Sequence, residues 1–384
     1  MDIPRTANIV IVGGGVMGAS TLFHLASRGI KNIVLLEKNE FFGQEATGRC
    51  AGGVRYQFAT EVNVRLSIES LPMLDRFKEE LGQDVNFRKC GYLFALTDPN
   101  DVVTFKRNVA LQNELGVNTS WLTADEVRKM VPYMRFEDAL GGTFNPNDGL
   151  VDPNSVVMGY INASLKLGAK ALSEIEVTGF DIESGRIHAV RTNHGVIESP
   201  VVLDAAGPWA GVVGKLADVD VPITSIRRQI LTTTPLVDLP ADFPFVIDFA
   251  KSLYFHREGD GILTGMSNPA ETHAFDESVD EDWELVNLEA AIARLPLLEK
   301  AGLMSHWAGL YEVTPDAHPI FGKTPVEGFY VLGGFSGHGF MHGPISGKLM
   351  SEIILDGKAS TLDVSQLDLA RFVENRQIRE YNVV

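Results

Sequence analysis

Asn8-Ile9-Val10-Ile11-Val12-Gly13-Gly14-Gly15-Val16-Met17-Gly18 carries the strongest fold signal in the chain. An apolar, largely β-branched run enters a block of glycines, as a fully buried parallel strand does at its carboxyl end. Apolar residues then recur at helical spacing (Leu22, Phe23, Leu25, Ala26), and Arg28-Gly29 supplies a cation and a C-cap glycine, so a helix is expected over Val16 to Gly29. A second strand is expected over Asn32 to Leu36, ending in Glu37 about 20 residues past the glycines. Gly13 permits the tight turn, Gly15 lets the backbone approach a pyrophosphate, and Gly18 lets helix and strand pack closely. The helix N-terminus suits an anion, and Glu37 can accept hydrogen bonds from ribose hydroxyls. These parts together predict a dinucleotide site.

Two further glycine-bearing turns lie downstream. Ser199 to Asp204 reads as a buried strand running into Ala205-Ala206-Gly207-Pro208-Trp209 before a helix. Phe329 to Leu332 reads as another, opening into Gly333-Gly334-Phe335-Ser336-Gly337-His338-Gly339 before a helix around Ile345 to Leu355. In a doubly wound sheet ligands bind beyond the carboxyl ends of the strands, so all three turns can converge on one cofactor. FAD and NAD share the first fingerprint. No second complete fingerprint occurs mid-chain, so the reductant is expected to be the organic substrate itself.

The chain of 384 residues is long enough for two or three domains, and its 45% hydrophobic and 22% charged residues are ordinary for a globular protein. No linker is visible, so two domains would have to be interleaved. A formal net charge of −17 without a Lys/Arg cluster excludes a nucleic-acid surface. No apolar run reaches membrane-spanning length, and the polar Met1 to Asn8 does not read as a signal peptide. Two cysteines, Cys50 and Cys90, fit a reducing compartment, and a cytoplasmic location is expected. His24, His188, His194 and His273 lack ligand spacing, so no metal is expected. Short strand-like runs at Pro222 to Thr234 and Leu253 to His256 suggest an antiparallel sheet. The acidic stretch Phe275 to Glu284 reads as a solvated loop and helix start, with the helix running to Leu298.

Several motifs carry a wider resemblance: Glu37-Lys38, Thr47-Gly48-Arg49-Cys50-Ala51-Gly52-Gly53-Val54-Arg55, Gly91-Tyr92-Leu93-Phe94, Asn145-Pro146-Asn147-Asp148-Gly149 with Asp152-Pro153, Trp307-Ala308-Gly309-Leu310-Tyr311 with Thr314-Pro315-Asp316, and Gly334 to Met341. With them the chain resembles the D-amino-acid oxidase superfamily of FAD enzymes from first strand to last helix, most closely the sarcosine oxidase β-subunit and archaeal proline dehydrogenase β-subunit group. The resemblance implies an α/β plus antiparallel β fold: a Rossmann-type FAD-binding domain from 1–83, 141–221 and 310–384, and an interleaved substrate domain from 84–140 and 222–309, a mixed sheet with helices. It implies cofactor contacts at Gly13, Gly15, Gly18, Glu37, Lys38, Thr47, Gly48, Arg49, Val177, Gly207, Trp209, Gly309, Gly337, Gly339, Phe340 and Met341. It also implies oxidation of a small amino acid such as sarcosine, proline or glycine to the imine by hydride transfer to flavin N5, and a partner subunit in a hetero-oligomer.

Such chemistry asks the protein to position substrate and tune the flavin. A substrate carboxylate calls for an arginine, and Arg55, ending the glycine-rich loop that the family lays against the flavin, is the expected anchor. Tyr254 and His256 share a face of an alternating strand, and by resemblance Tyr254 lines the substrate cavity. Tyr311, His338 and Met341 match family positions beside the flavin. Departures from the family bear on the chemistry too. Gly309 stands where monomeric sarcosine oxidases link FAD through cysteine, which predicts noncovalent FAD. No histidine for covalent FMN occurs in Val151-Asp152-Pro153-Asn154. Leu263 and Met341 replace lysines, which predicts weak reactivity with oxygen. Two other readings are a relay flavoprotein subunit within a larger dehydrogenase complex and an NAD-dependent dehydrogenase.

Overall fold

The computed structural model describes residues 3–383, so Met1 and Asp2 of the expected polar lead-in lie outside it. The strand Ile9–Val12 is wholly buried and enters the helix Val16–Ser27 through the glycine turn. Past Ser27 the chain leaves the helix at Arg28 and Gly29, whose N–H groups donate to the carbonyls of His24 and Ala26. Ile33–Leu36 pairs in parallel beside the first strand. The full sheet runs Ile320–Lys323, Phe329–Gly333, Val202–Asp204, Ile9–Val12, Ile33–Leu36, Lys170–Leu172, and only the Ile320–Lys323 edge is antiparallel. The carboxyl ends of five strands therefore meet along one edge of the sheet.

Helices Val16–Ser27, Pro153–Lys166 and Gly339–Asp356 pack together on one face of this sheet, over a core that includes Ile11, Leu35, Leu203 and Leu332. The other face is covered by a three-stranded antiparallel meander, Val177–Glu183, Arg186–Thr192 and Gly195–Glu198, and by the helix Ala210–Leu216. Asp152-Pro153 starts its helix as the two residue types dictate: Asp152 accepts from the Ser155 N–H at 2.6 Å, and Pro153 occupies the first turn, where its missing donor costs nothing.

The second sheet has eight strands in the order Leu303–Val313, Thr224–Thr233, Gly261–Met266, Leu253–Glu258, Phe245–Asp248, Tyr92–Leu96, Gly141–Asn145, Ser120–Thr123. One pair, Tyr92–Leu96 with Phe245–Asp248, is parallel and the remaining pairs are antiparallel, which makes the sheet mixed. Gly141–Asn145, within the stretch 141–221 expected in the cofactor domain, hydrogen-bonds into this second sheet, and Leu303–Val313 runs through position 310 without a break. The helix expected up to Leu298 ends at Arg294 and gives way to a 3₁₀ turn at Pro296–Lys300, because Pro296 cannot donate. Among the described residues no helix is long and apolar enough to cross a membrane.

Candidate active site

Two adjoining cavities lie between the sheets. The larger follows the carboxyl edge of the parallel sheet and is lined by the Gly13-Gly14-Gly15 turn, Glu37, Lys38, Thr47, Val177 and Trp209. Gly13 has φ +110°, and a Cβ there would sit 2.4 Å from the Ala205 carbonyl oxygen; one on Gly18 would sit 2.0 Å from that of Gly13. Only glycine allows this turn to close against the neighbouring strand and the helix to follow at such short range. Helix Val16–Ser27 has no side-chain cap of its own residue Gly15; Thr47 Oγ1 instead accepts from the Val16 N–H at 3.2 Å. The Glu37 carboxylate accepts from the N–H of Gly14 at 2.7 Å and of Asn39 at 2.8 Å, which holds it at the mouth of the turn. Lys38 Nζ lies 3.3 Å from the Trp209 ring centroid, and Trp209 stacks on Phe275. Glycine turn, helix terminus and acid fit the pyrophosphate and ribose of a dinucleotide.

The smaller cavity shares Ala46, Cys50, Leu310, Tyr311, Gly337 and Phe340 with the first and opens against one face of the eight-stranded sheet. That face follows from register. Residues directly opposite in paired strands point the same way, and Tyr254 lies opposite Ile247 and Gly265, Ile230 opposite Gly265 and Trp307, and Arg228 opposite Gly309. Tyr254, Ile247, Ile230, Arg228, Gly309 and Tyr311 accordingly form one wall, joined by Tyr92 and Phe245 from the parallel pair. Opposite stand His338, Met341 and Val383. Gly337 has φ +94°, and a Cβ on it would lie 2.3 Å from the Tyr311 ring, so the glycine loop and the tyrosine are fitted to each other.

Most of the residues expected in the site border one cavity or the other. Glu37, Lys38, Thr47, Val177, Gly207, Trp209 and Gly339 line the first, while Arg49, Arg55, Tyr254, Gly309, His338 and Met341 line the second. His256 does not: it is buried with Nδ1 3.0 Å from the Arg257 carbonyl oxygen, and burial lowers its pKa to about 4. Gly18 and Gly48 border neither; a Cβ on Gly48 would meet the Gly43 carbonyl oxygen at 2.3 Å, so both serve backbone packing. Arg55 borders the cavity, but its guanidinium donates to the carbonyl oxygens of Gln57 and Asn382 and lies 4.0 Å from the Phe58 ring centroid. His338 is buried with neither ring nitrogen partnered among the described residues, and desolvation, with the charge of His342 and then Arg55, holds its pKa well below the ordinary histidine value.

Sequence reading missed three features. Arg228 lines the cavity, and its only signal was a basic pair in an alternating strand. The segment after the last helix returns to the site: Glu380 accepts from the N–H groups of Ala59 and Thr60 and from Asn63 Nδ2 at 2.8, 3.1 and 2.9 Å, and Val383 reaches the cavity. The acidic stretch is largely exposed and leads into a helix at Glu281 as expected, but its charges are also paired: Asp276 with Arg227 at 2.9 Å and Glu277 with Arg49 at 3.3 Å, while Phe275 stacks on Trp209. Its charges are used to hold the loop over the cofactor cleft.

A glycine turn at a switch between parallel strands, opening beside a walled cavity on a second sheet, marks a dinucleotide-binding protein with a small-molecule site beside the cofactor cleft. The chain belongs to the family described as FAD dependent oxidoreductase, whose profile matches residues 8–353. FAD is therefore its cofactor, and an NAD-dependent dehydrogenase is set aside. The chain is 31% identical to the mitochondrial sarcosine dehydrogenase of Mus musculus, over 96% of this chain and 42% of that protein. It is 30% identical to the mitochondrial dimethylglycine dehydrogenase of Mus musculus, over 95% of this chain and 44% of that protein. It thus spans less than half the length of these relatives. Among solved structures, the L-proline dehydrogenase from P. horikoshii superposes with a TM-score of 0.91 at 33% identity, covering 98% of this chain and 100% of that one.

Proposed function

We propose that this protein oxidises the carbon–nitrogen bond of a small amino acid: a secondary or primary one such as sarcosine, proline or glycine to the imine, or a tertiary one such as dimethylglycine to the iminium. The observation that carries this reading is the walled cavity beside the cofactor cleft, sharing Tyr311, Gly337 and Phe340 with it, so that a bound substrate abuts the end of the cleft. FAD, when bound, supplies the two-electron acceptor for the substrate's C–H bond. The protein's own part is positional. Tyr254, Tyr311, Ile230 and Ile247 exclude water and fix the substrate's face. His338, kept neutral, can accept a hydrogen bond from the substrate amine at an unpartnered ring nitrogen. The relatives named above support the substrate class, and a cavity built with this many positioned side chains favours catalysis over a relay role.

Purified protein should show a flavin spectrum, bleached under argon by at least one of sarcosine, N,N-dimethylglycine, L-proline or glycine; a flavin that none of a broad amino-acid panel reduces would overturn the reading. The cofactor is expected to be noncovalent. A Cβ on Gly309 would sit 2.9 Å from Arg49 Cβ, leaving no room for a linking side chain without displacing Arg49, and Cys50, which borders the cleft, has its thiol pKa pushed up to about 11 by burial. Acid precipitation should leave the yellow colour in the supernatant; colour that stays with the pellet would contradict this.

A further inference from the structure

Arg227 and Arg228 are adjacent on the strand Thr224–Thr233, so their side chains leave opposite faces of the eight-stranded sheet. Arg227 is saturated with acid: Glu271 at 3.1 Å, Asp276 at 2.9 Å and Asp280 at 3.7 Å. Arg228 has no carboxylate within ion-pair distance among the described residues, in a chain with 50 acidic residues against 33 basic ones. Its NH1 donates to the Arg227 carbonyl oxygen at 3.0 Å, its Nε is buried without a partner, and its guanidinium lies 5.2 Å from the Tyr311 ring centroid. The group is part of the cavity wall, between Gly309 and Tyr254. A half-buried guanidinium with an unused donor is costly unless something anionic completes it. The other two arginines on this cavity are already engaged: Arg55 has backbone carbonyls for its two terminal nitrogens and a ring beneath its plane, and Arg49 donates to the Ala308 carbonyl oxygen at 2.7 Å and pairs with Glu277 at 3.3 Å.

We infer that Arg228 is the substrate-anchoring cation, taking the α-carboxylate of an amino acid on its free edge, while Arg55 serves to tie Gln57 and the Asn382 segment together. The inference rests on the oxidative reading above and sharpens it: the substrate is a carboxylate-bearing amine, and plain alkylamines are excluded because they would leave the guanidinium uncompensated. Tyr311 beneath Arg228 fixes the height of the anchor, so that the carbon bearing the amine falls toward Gly337 and the cofactor cleft. A lysine in its place would keep the charge but lose the planar two-point contact.

The test titrates the flavin-loaded protein with tetrahydrofuran-2-carboxylate, a carboxylate with no amine to oxidise, and reads the shift of the flavin spectrum. Tetrahydrofuran-2-carboxamide is the uncharged control. Arg228→Gln, which keeps much of the stem, and Arg228→Ala should each weaken carboxylate binding by about 100-fold, the loss of a desolvated charge-assisted contact. Arg228→Lys should recover part of that affinity, and binding of the carboxamide should be the same in all four proteins. With a substrate that reduces the wild type, the half-saturating concentration should rise by about the same factor and the limiting rate should change much less. Carboxylate affinity unchanged in Arg228→Gln, with its flavin spectrum intact, would overturn the inference while leaving the proposed function standing. A wild type that binds the carboxylate through Arg228 but is reduced by no amino acid would do the reverse.

Discussion

Gly337 concentrates two demands in one residue, a φ of +94° and a face against which the Tyr311 ring is pressed. Gly337→Ala should meet both left-handed strain and overpacking, together about 2–4 kcal/mol of lost stability, with the flavin-site loop displaced. A fall in chemical-unfolding stability together with weaker FAD retention would be seen; a wild-type unfolding midpoint would show that the loop can yield. Asp148 presents an electrostatic case. It is fully buried, accepting from the Tyr56 N–H at 2.8 Å and from Gln57 Nε2 at 2.9 Å, yet desolvation outweighs those bonds and the charge of Arg55 and raises its pKa from 3.8 to about 7. A folded-state pKa above the unfolded one contributes stability that is complete below about pH 4 and lost as pH rises through about 7, by up to about 4 kcal/mol. Asp148→Asn removes the titration but leaves Gln57 short of an acceptor, at a cost of about 1–3 kcal/mol. Because the loss on the wild type's side exceeds that cost, the variant should be less stable than wild type at pH 4 and the order should invert by pH 8 in urea-unfolding measurements. A gap independent of pH would mean that Asp148 does not titrate in this range.

Elements built from local signals were legible in the sequence, and those built from long-range contacts were not. Ile9–Val12, Val16–Ser27 and Ile33–Leu36 follow from apolar runs, glycine spacing and a C-cap, all short-range properties. The cofactor cleft could be read because its turn, helix terminus and Glu37 lie within about 30 residues, the span of one βαβ unit. Arg228 escaped notice because its meaning depends on which face of a sheet meets a cavity, and that is set by pairing with Leu303–Val313, far away in the chain. The pairing of the exposed acidic loop escaped notice for a similar reason, since its carboxylates meet an arginine from a strand 40 or more residues away. That loop gives a test at the level of elements. Arg227→Ala removes the common partner of Glu271, Asp276 and Asp280, leaving like charges together over the cleft. Residues 267–280 should become the first site of limited proteolysis, and FAD should dissociate several-fold faster, because Phe275 no longer stays on Trp209. An unchanged cleavage pattern would mean that the loop is held by its other ties, Glu277 to Arg49, Ala274 to Ser225 and Asp280 to Gln229.

The two sheets divide the work: the parallel sheet offers strand ends and a helix terminus to the cofactor, and the mixed sheet, on the proposed function, offers one side-chain-bearing face to the substrate. The arrangement also sets which electron acceptor can be served. Passing an electron to oxygen creates an anion, which a fixed cation close to the cofactor stabilises. Leu263 is buried and apolar, Met341 supplies no charge, and His338 is held neutral by burial and by the neighbouring His342 and Arg55. Arg55 is engaged by backbone carbonyls, and Arg228, on the inference above, is neutralised whenever a carboxylate is bound. The reduced protein is therefore expected to react slowly with oxygen, slower still with tetrahydrofuran-2-carboxylate bound, and to turn over faster with an artificial dye. Stopped-flow mixing of the substrate-reduced protein with air-saturated buffer, with and without that ligand, measures both rates against dye reduction at equal substrate. Reoxidation as fast as turnover, and indifferent to the ligand, would show that oxygen is served by some other group and that the positions of Leu263, Met341 and Arg228 do not govern the acceptor.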